Sequence, residues 1–136
     1  GKPEKVHGFN LRTREQEGDD FADNQLAVLK YEKATATLRC NHNDPFGFPR
    51  RRFNLSGTKG GMEINPLESG RFNLNLDQNR GEYKKGAQTV QLKGGRSYVA
   101  EFKDLAQVIR GEKKLEWSYH HDLEVHRTLL ELCGMD

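Results

Sequence analysis

Between residues 6 and about 92, apolar and polar residues alternate along short segments of the chain. In the segment 71–77, for example, Phe72, Leu74 and Leu76 alternate with arginine, asparagine and aspartate. A period of two residues is typical of strands that have one apolar and one polar face. The pattern predicts seven strands, at residues 6–14, 25–32, 35–42, 51–57, 61–64, 71–77 and 87–93, with a tight turn near Glu32–Lys33. Such two-faced strands favour an open, mostly antiparallel sheet.

From about residue 97 the apolar period lengthens to that of a helix. The first predicted helix starts after Ser97 as its cap and stops at Gly111, and the second runs from about His120 to Cys133. Ser118 is the expected cap of the second helix and Gly134 its stop. A sheet followed by helices indicates the α+β class. We expect one face of the sheet to be covered by helices, including these two C-terminal helices.

Composition narrows the classes of function. The 136 residues fit one domain, and 34% hydrophobic against 31% charged residues predicts a thin core. A net charge of +2 gives no electrostatic reason to expect nucleic acid or an anionic membrane as a partner. No apolar run approaches the roughly 20 residues that cross a membrane. Two cysteines make no disulfide framework, so we expect a reducing, cytoplasmic setting.

The segment FNLSGTKGGMEINP, residues 53–66, has the glycines and the lysine of a phosphate-binding loop. Such a loop needs a Gly-Lys-Ser/Thr end and a helix after it. Here Lys59 precedes Gly60, no serine or threonine follows, and the next segment alternates like a strand. We therefore predict a hairpin in which Gly57 and Gly60 adopt positive φ values.

Three other groups of residues resemble functional motifs but lack part of what each motif requires. The segment FGFPRRRF (46–53) is reminiscent of an RNA-binding strand, but Pro49 would break a central strand. Asp122 and His126 lie four residues apart on one helix face, and a metal site needs more ligands than two. Cys40 and His42 have no further ligand near them in sequence. We predict no metal site, and no serine lies in a nucleophile context.

The longest interruption of the predicted sheet is the loop NHNDPFGFP, residues 41–49. Loops of this kind often line pockets. Candidate substrate-binding residues in and after it are His42, Asp44, Arg50 and Arg51, although a solvated loop is the simpler alternative for each of them.

Five segments of the chain, in their order and spacing, resemble the C-terminal part of one oxidoreductase family. They are GKPEKVHGF, LAVLKYEKATATLRC, FNLSGTKGGMEINP, YVAEFKDLAQVIRGEKKLEW and LEVHRTLLELCGM. This is the family of glucose–fructose oxidoreductase, inositol dehydrogenase and the rhizopine catabolism protein (Gfo/Idh/MocA). The resemblance implies that residues 1–136 form a single C-terminal substrate-binding and dimerisation domain. It implies a parent enzyme that transfers hydride between NAD or NADP and a sugar, polyol or related carbonyl compound.

The same resemblance places the catalytic and cofactor-binding residues outside this chain. The family's Rossmann domain, its Glu-Lys-Pro lysine and its Asp-x-x-x-His helix are expected upstream of Gly1. Asp122 and His126 have the spacing of that last motif but lie in the final helix, so we assign them no catalytic role. The isolated chain is expected to be catalytically incomplete and to bind no cofactor. Two alternatives stay open: a parent that is an NAD-dependent glycoside hydrolase, and a non-enzymatic dimerisation module.

The resemblance also implies that subunits pair through the sheet. The polar face of the predicted strands carries both signs of charge, which a two-fold partner can match. We therefore expect a homodimer or higher homo-oligomer, although a solvated face is the alternative. The predicted interface residues are Arg39, Arg52, Asn54, Glu63 and Asn73, with Thr35, Thr37, Ser56 and Asn75 on the same face.

Overall fold

A computed structural model describes residues 1–14, 17–92 and 98–135. The chain divides into two compact units, Gly1–Pro45 with Gly111–Asp136, and Phe46–Arg110. The elements in chain order are β1 (Lys5–Leu11), β2 (Asn24–Lys30), β3 (Thr35–Asn41), a 3-10 turn (Phe48–Arg50), β4 (Phe53–Gly57), β5 (Gly60–Ile64), β6 (Arg71–Leu76), β7 (Gly86–Gln91), α1 (Tyr98–Ile109) and α2 (Tyr119–Leu132).

The first unit contains an antiparallel sheet in the order β1-β2-β3, with α2 packed on one face. The buried residues Ala27, Leu29 and Leu132 form its small core. Gly8 lies opposite Ala27 in the sheet and directly beneath the carbonyl group of Leu132. The side-chain amide of Asn10 donates a 2.9 Å hydrogen bond to the same carbonyl oxygen. The end of α2 is thus held close to β1 by the Asn10 hydrogen bond, and the absence of a side chain at Gly8 leaves room for this approach.

The second unit contains an antiparallel sheet in the order β4-β5-β6-β7. The predicted hairpin is confirmed, because Gly57 pairs directly with Gly60 across Thr58 and Lys59. Gly60 has a φ of +148°, as predicted, and a Cβ there would lie 2.2 Å from the carbonyl oxygen of Asn75. The prediction of a positive φ at Gly57 is wrong, because Gly57 keeps its place in the strand ladder. The glycines serve the turn and the close approach of β6.

The helix signals largely match the structure. The Ser118 side chain accepts a 3.2 Å hydrogen bond from the His121 amide and caps α2, as predicted. Gly111 and Gly134 follow the helices with φ values of +74° and +70°. The predicted cap Ser97 and the last predicted strand residue, Lys93, lie outside the described residues. Neither helix in the described part of the chain has the length and apolar character that a membrane crossing requires.

The α+β class, the open antiparallel strands and the two C-terminal helices are confirmed, with the strands divided over two sheets. The tight turn after β2 is confirmed by a 2.8 Å bond from the Tyr31 amide to the Ala34 carbonyl. The first strand ends earlier than predicted, at Leu11, because the amides of Thr13 and Arg14 bond to the Asp23 carboxylate instead of to a strand. Apolar side chains of α1 are exposed, namely Tyr98, Val99, Phe102 and Ile109.

Candidate functional site: the polar face of the four-stranded sheet

A row of four polar side chains crosses the whole four-stranded sheet. The strand register pairs Asn54 with Glu63, Glu63 with Asn73, and Asn73 with Thr89. Residues directly opposite one another in a sheet project from the same face, so these four share one face. The Thr89 hydroxyl donates to the Asn73 side-chain oxygen at 3.0 Å. The row presents amide donors and a carboxylate acceptor at neighbouring positions.

The next row of the same face is small. Ser56 pairs with Gly61, Gly61 with Asn75, and Asn75 with Ala87. Because Gly61 and Ala87 project little or nothing, the face forms an open hollow of ≈ 630 Å³ over the two rows. A second molecule can therefore approach the backbone of the sheet closely at this point.

Glu63, in the polar row, and Arg71, two residues before Asn73 on β6, carry opposite charges on the same face. Glu63 and Arg71 both line a second, more polar hollow of ≈ 230 Å³ next to Asn73 and Thr89. Glu63 is half-buried and Arg71 is exposed. Within the residues that the structure describes, neither side chain forms a hydrogen bond or an ion pair. The two charges are left for a partner or for solvent.

The predicted interface residues are only partly brought together. Asn54, Glu63 and Asn73 lie in the one polar row described above. Arg52 is exposed and precedes β4 by one residue. Arg39 belongs to β3 of the other unit, in a row with the exposed residues Phe9 and Leu26. The three-stranded sheet is therefore mixed in character on the face that carries Arg39.

His42 and Asp44, two of the predicted substrate contacts, lie in the segment after β3. The His42 amide donates to the Asp23 carbonyl at 2.8 Å, and its ring meets that of Phe21 edge-on with the centroids 4.8 Å apart. Its Nε2 atom lies 3.3 Å from Cys40 Sγ. Asp44 is half-buried. His42 is thus held in a defined position at one end of the sheet.

Arg50 and Arg51, the other two predicted contacts, lie in the second unit. Arg50 ends the 3-10 turn. The Arg51 guanidinium bonds to Glu68 at 2.8 Å and lies over the Phe48 ring, 5.1 Å from its centroid. The Arg51 carbonyl also accepts from the Leu67 amide at 2.8 Å. Arg51 therefore fixes the loop before β6 as well as facing solvent.

Asp23 is a residue whose importance the sequence did not reveal. It is fully buried, and its carboxylate accepts hydrogen bonds from the Thr13 hydroxyl at 2.6 Å and from the amides of Thr13 and Arg14. The Thr13 hydroxyl bond is the main cause that holds the pKa of Asp23 far below its usual range. Asn43 in turn donates to the Thr13 hydroxyl at 2.7 Å. One carboxylate thereby ties together the chain segments that follow β1, precede β2 and follow β3.

Among the described residues, no group of three or more potential metal ligands comes together. The His126 Nδ1 atom lies 2.9 Å from the backbone carbonyl oxygen of Asp122. The ring is thus engaged with its own helix. The spacing of Asp122 and His126 reflects helix geometry.

Arg71 and Thr89 complete the polar face and were not among the residues predicted from the sequence. Both stand at polar positions of alternating strands, so the signal was present. The register of β5, β6 and β7 was needed to place Arg71 diagonally from Glu63 and Thr89 directly opposite Asn73.

Comparison with known proteins supports the fold. No protein-family model and no curated protein matches the chain. The chain is similar in structure to a Thermotoga maritima protein that is provisionally described as an oxidoreductase, with a TM-score of 0.67 and 21% sequence identity. The similarity covers 95% of this chain and 36% of that protein. The chain thus has the fold of a portion of that larger protein and spans little more than a third of its length.

Proposed function

We propose that this chain is the substrate-binding and subunit-pairing domain of an NAD- or NADP-dependent oxidoreductase that acts on a sugar, a polyol or a related carbonyl compound. The observation that carries the proposal is the structural similarity over 95% of this chain to a 36% portion of a protein provisionally described as an oxidoreductase. The sequence resemblance to the C-terminal part of the Gfo/Idh/MocA family supports the same assignment independently.

In this proposal the chain supplies part of the active-site wall and none of the cofactor site. Hydride transfer requires the carbon of the nicotinamide and that of the substrate to be held in contact beside an acid–base group. The glycine-rich segment of this chain forms the hairpin from β4 to β5, without the helix start that cradles a phosphate. We propose, from the family resemblance, that the nicotinamide cofactor and the catalytic lysine belong to a Rossmann domain elsewhere in the parent protein.

The proposed substrate contacts are His42, Asp44, Arg50 and Arg51. Side chains of these types donate to and accept from hydroxyl groups, which suits a sugar or a polyol. The positions of His42 and Arg51 are fixed by neighbouring groups, as a binding site requires. The exposed, unbridged thiols of Cys40 and Cys133 support a reducing, cytoplasmic setting.

Subunit pairing is proposed through the polar face of the four-stranded sheet. Asn54, Glu63, Asn73 and Thr89 span all four strands there. An interface of this composition is hydrogen-bonded and wet, and hence moderate in affinity and sensitive to salt.

The test of the enzymatic proposal uses the product of the complete reading frame. We expect it to oxidise one or more sugars or polyols with a change in nicotinamide absorbance. Alanine at Arg50 should raise KM or lower kcat/KM while the far-ultraviolet circular dichroism is unchanged. Cleavage of nitrophenyl glycosides without net cofactor reduction would contradict the oxidoreductase assignment, as would a complete reading frame that encodes no nucleotide-binding domain.

A further inference from the structure

We infer that Glu63 and Arg71 pair reciprocally across a two-fold contact between two copies of this chain, so that Glu63 of each copy meets Arg71 of the other. This inference rests on the proposed subunit pairing and adds the charge register that would align the two polar faces.

The first observation concerns the surroundings of the Glu63 and Arg71 side chains. They line the same ≈ 230 Å³ hollow, and neither has a hydrogen-bonding or ionic partner within the described residues. Glu63 is already half-buried. A partly desolvated carboxylate is stabilised when a cation approaches it. Arg71, a cation on the same face, forms no ion pair with it among the described residues.

The second observation is the placement of the two residues on neighbouring strands. Glu63 pairs with Asn73 in the sheet, and Arg71 lies two residues before Asn73 on β6. Glu63 and Arg71 are therefore diagonal neighbours on one face, a geometry that corresponds to about 7–8 Å between Cα atoms. In an isologous contact, residue i meets residue j and residue j meets residue i. A two-fold axis between the two side chains places each over the opposite charge of the other copy.

The rest of the face permits this contact. Gly61 and Ala87 leave the sheet open beside the charged pair, and Asn54, Asn73 and Thr89 supply uncharged donors and acceptors. Four strands about 4.8 Å apart, each of five or six residues at about 3.3 Å per residue, make a face of roughly 19 by 18 Å. That is well below the ~800 Å² per partner of a standard interface. A contact of this size is expected to be weak, so two reciprocal ion pairs are a large share of its strength.

A second copy fits this hollow better than a small ligand does. A small polar ligand would have to satisfy both charges at once on an open surface, where it would bury little of its own area. The second copy carries the same two charges in the required complementary arrangement. It also covers the neutral remainder of the row.

The experiment is a charge-swap cycle followed by sedimentation equilibrium at micromolar protein and low salt. E63R and R71E each place two like-charge contacts in the pair, so each should lower the association constant about tenfold or more. The double variant E63R/R71E restores the opposite charges in swapped positions and should recover the association constant to within about threefold. The control E82K/K85E changes two exposed charges outside the strands and should leave association unchanged.

The outcomes distinguish the reciprocal Glu63–Arg71 pairing from the proposed subunit pairing on which it rests. A wild-type dimer that both single variants leave intact overturns the reciprocal pairing and leaves subunit pairing standing. Failure of the double variant to recover also overturns it, provided that its circular dichroism matches the wild type. A monomeric wild type at up to several hundred micromolar overturns the pairing of subunits itself. Saturable binding of a polyol that is lost in E63R would then identify the hollow as a small-molecule site.

Discussion

Replacing Gly8 by alanine should detach the end of α2 from the three-stranded sheet. A Cβ at Gly8 would lie 2.1 Å from the carbonyl oxygen of Leu132 and 3.0 Å from its carbonyl carbon. The obstructing atoms are backbone, so they can yield only if the last turn of α2 moves. The same carbonyl accepts the 2.9 Å bond from Asn10, and the Leu132 side chain is part of the small core. One methyl group therefore opposes both contacts.

The size of the effect follows from these contacts. Loss of the Asn10 bond costs about 1 kcal/mol, and exposure of a buried leucine such as Leu132 costs a further ~1.5–3 kcal/mol if it is complete. Alanine regains about 0.5–1 kcal/mol relative to glycine within a strand. The net destabilisation of the first unit should be about 2 kcal/mol. The steric term decides the sign, because strand propensity alone would make the variant more stable.

The assay is urea unfolding followed by the fluorescence of Trp117, the single tryptophan, which precedes α2 in the same unit. The matched control is Gly57→Ala in the second unit, followed by far-ultraviolet circular dichroism as well, where a Cβ would lie 3.5 Å from the Gly60 carbonyl oxygen, an ordinary contact. Gly57→Ala should leave stability within about 0.5 kcal/mol of the wild type. Equal stability of Gly8→Ala and the wild type would refute the packing of α2 on β1.

Three further outcomes are expected. Because the pKa of Asp23 is lowered in the folded state, its contribution to stability is complete above the usual aspartate pKa of about 3.9 and is lost as the pH falls below it. D23N should have a lower urea midpoint at neutral pH, and its stability should fall less steeply with decreasing pH in the acid range. An unchanged midpoint would contradict the role of Asp23. In the complete enzyme, R50A should lower kcat/KM about 10- to 100-fold, which is the effect of losing a charged hydrogen bond to the substrate. R51A should lower kcat/KM to a similar extent and should also lower the melting temperature, because it breaks the ion pair with Glu68. Unchanged kinetics in both variants would place the substrate pocket elsewhere. T89R places a bulky cation at the β7 end of the polar row and should reduce self-association about tenfold or more. Q78R, outside the strands, should not reduce it, and equal dimerisation of the two variants would exclude this face.

The alternation of residues was sufficient to predict the strands and the polar row, because a two-residue period determines which side chains share a face. Asn54, Glu63 and Asn73 were found in this way. The division of the strands into two sheets was not predicted, because alternation alone does not show that the consecutive strands β3 and β4, separated by the 3-10 turn, stay unpaired. The role of Asp23 was not predicted because its burial arises only when the segments carrying Thr13 and Asn43 converge on it. The positive φ expected at Gly57 failed because glycine can also occupy an ordinary strand position.

Calorimetric titration with NAD and with NADP tests the central claim most directly. The 136-residue chain should show no saturable binding tighter than about 100 μM, because its glycine-rich segment is a hairpin and the proposed nucleotide site lies elsewhere in the parent protein. The product of the complete reading frame should bind one of the two cofactors saturably. Tight binding by the 136-residue chain alone, or the absence of binding by the complete protein, would contradict the assignment of this chain as the substrate-side domain of a nicotinamide-dependent oxidoreductase.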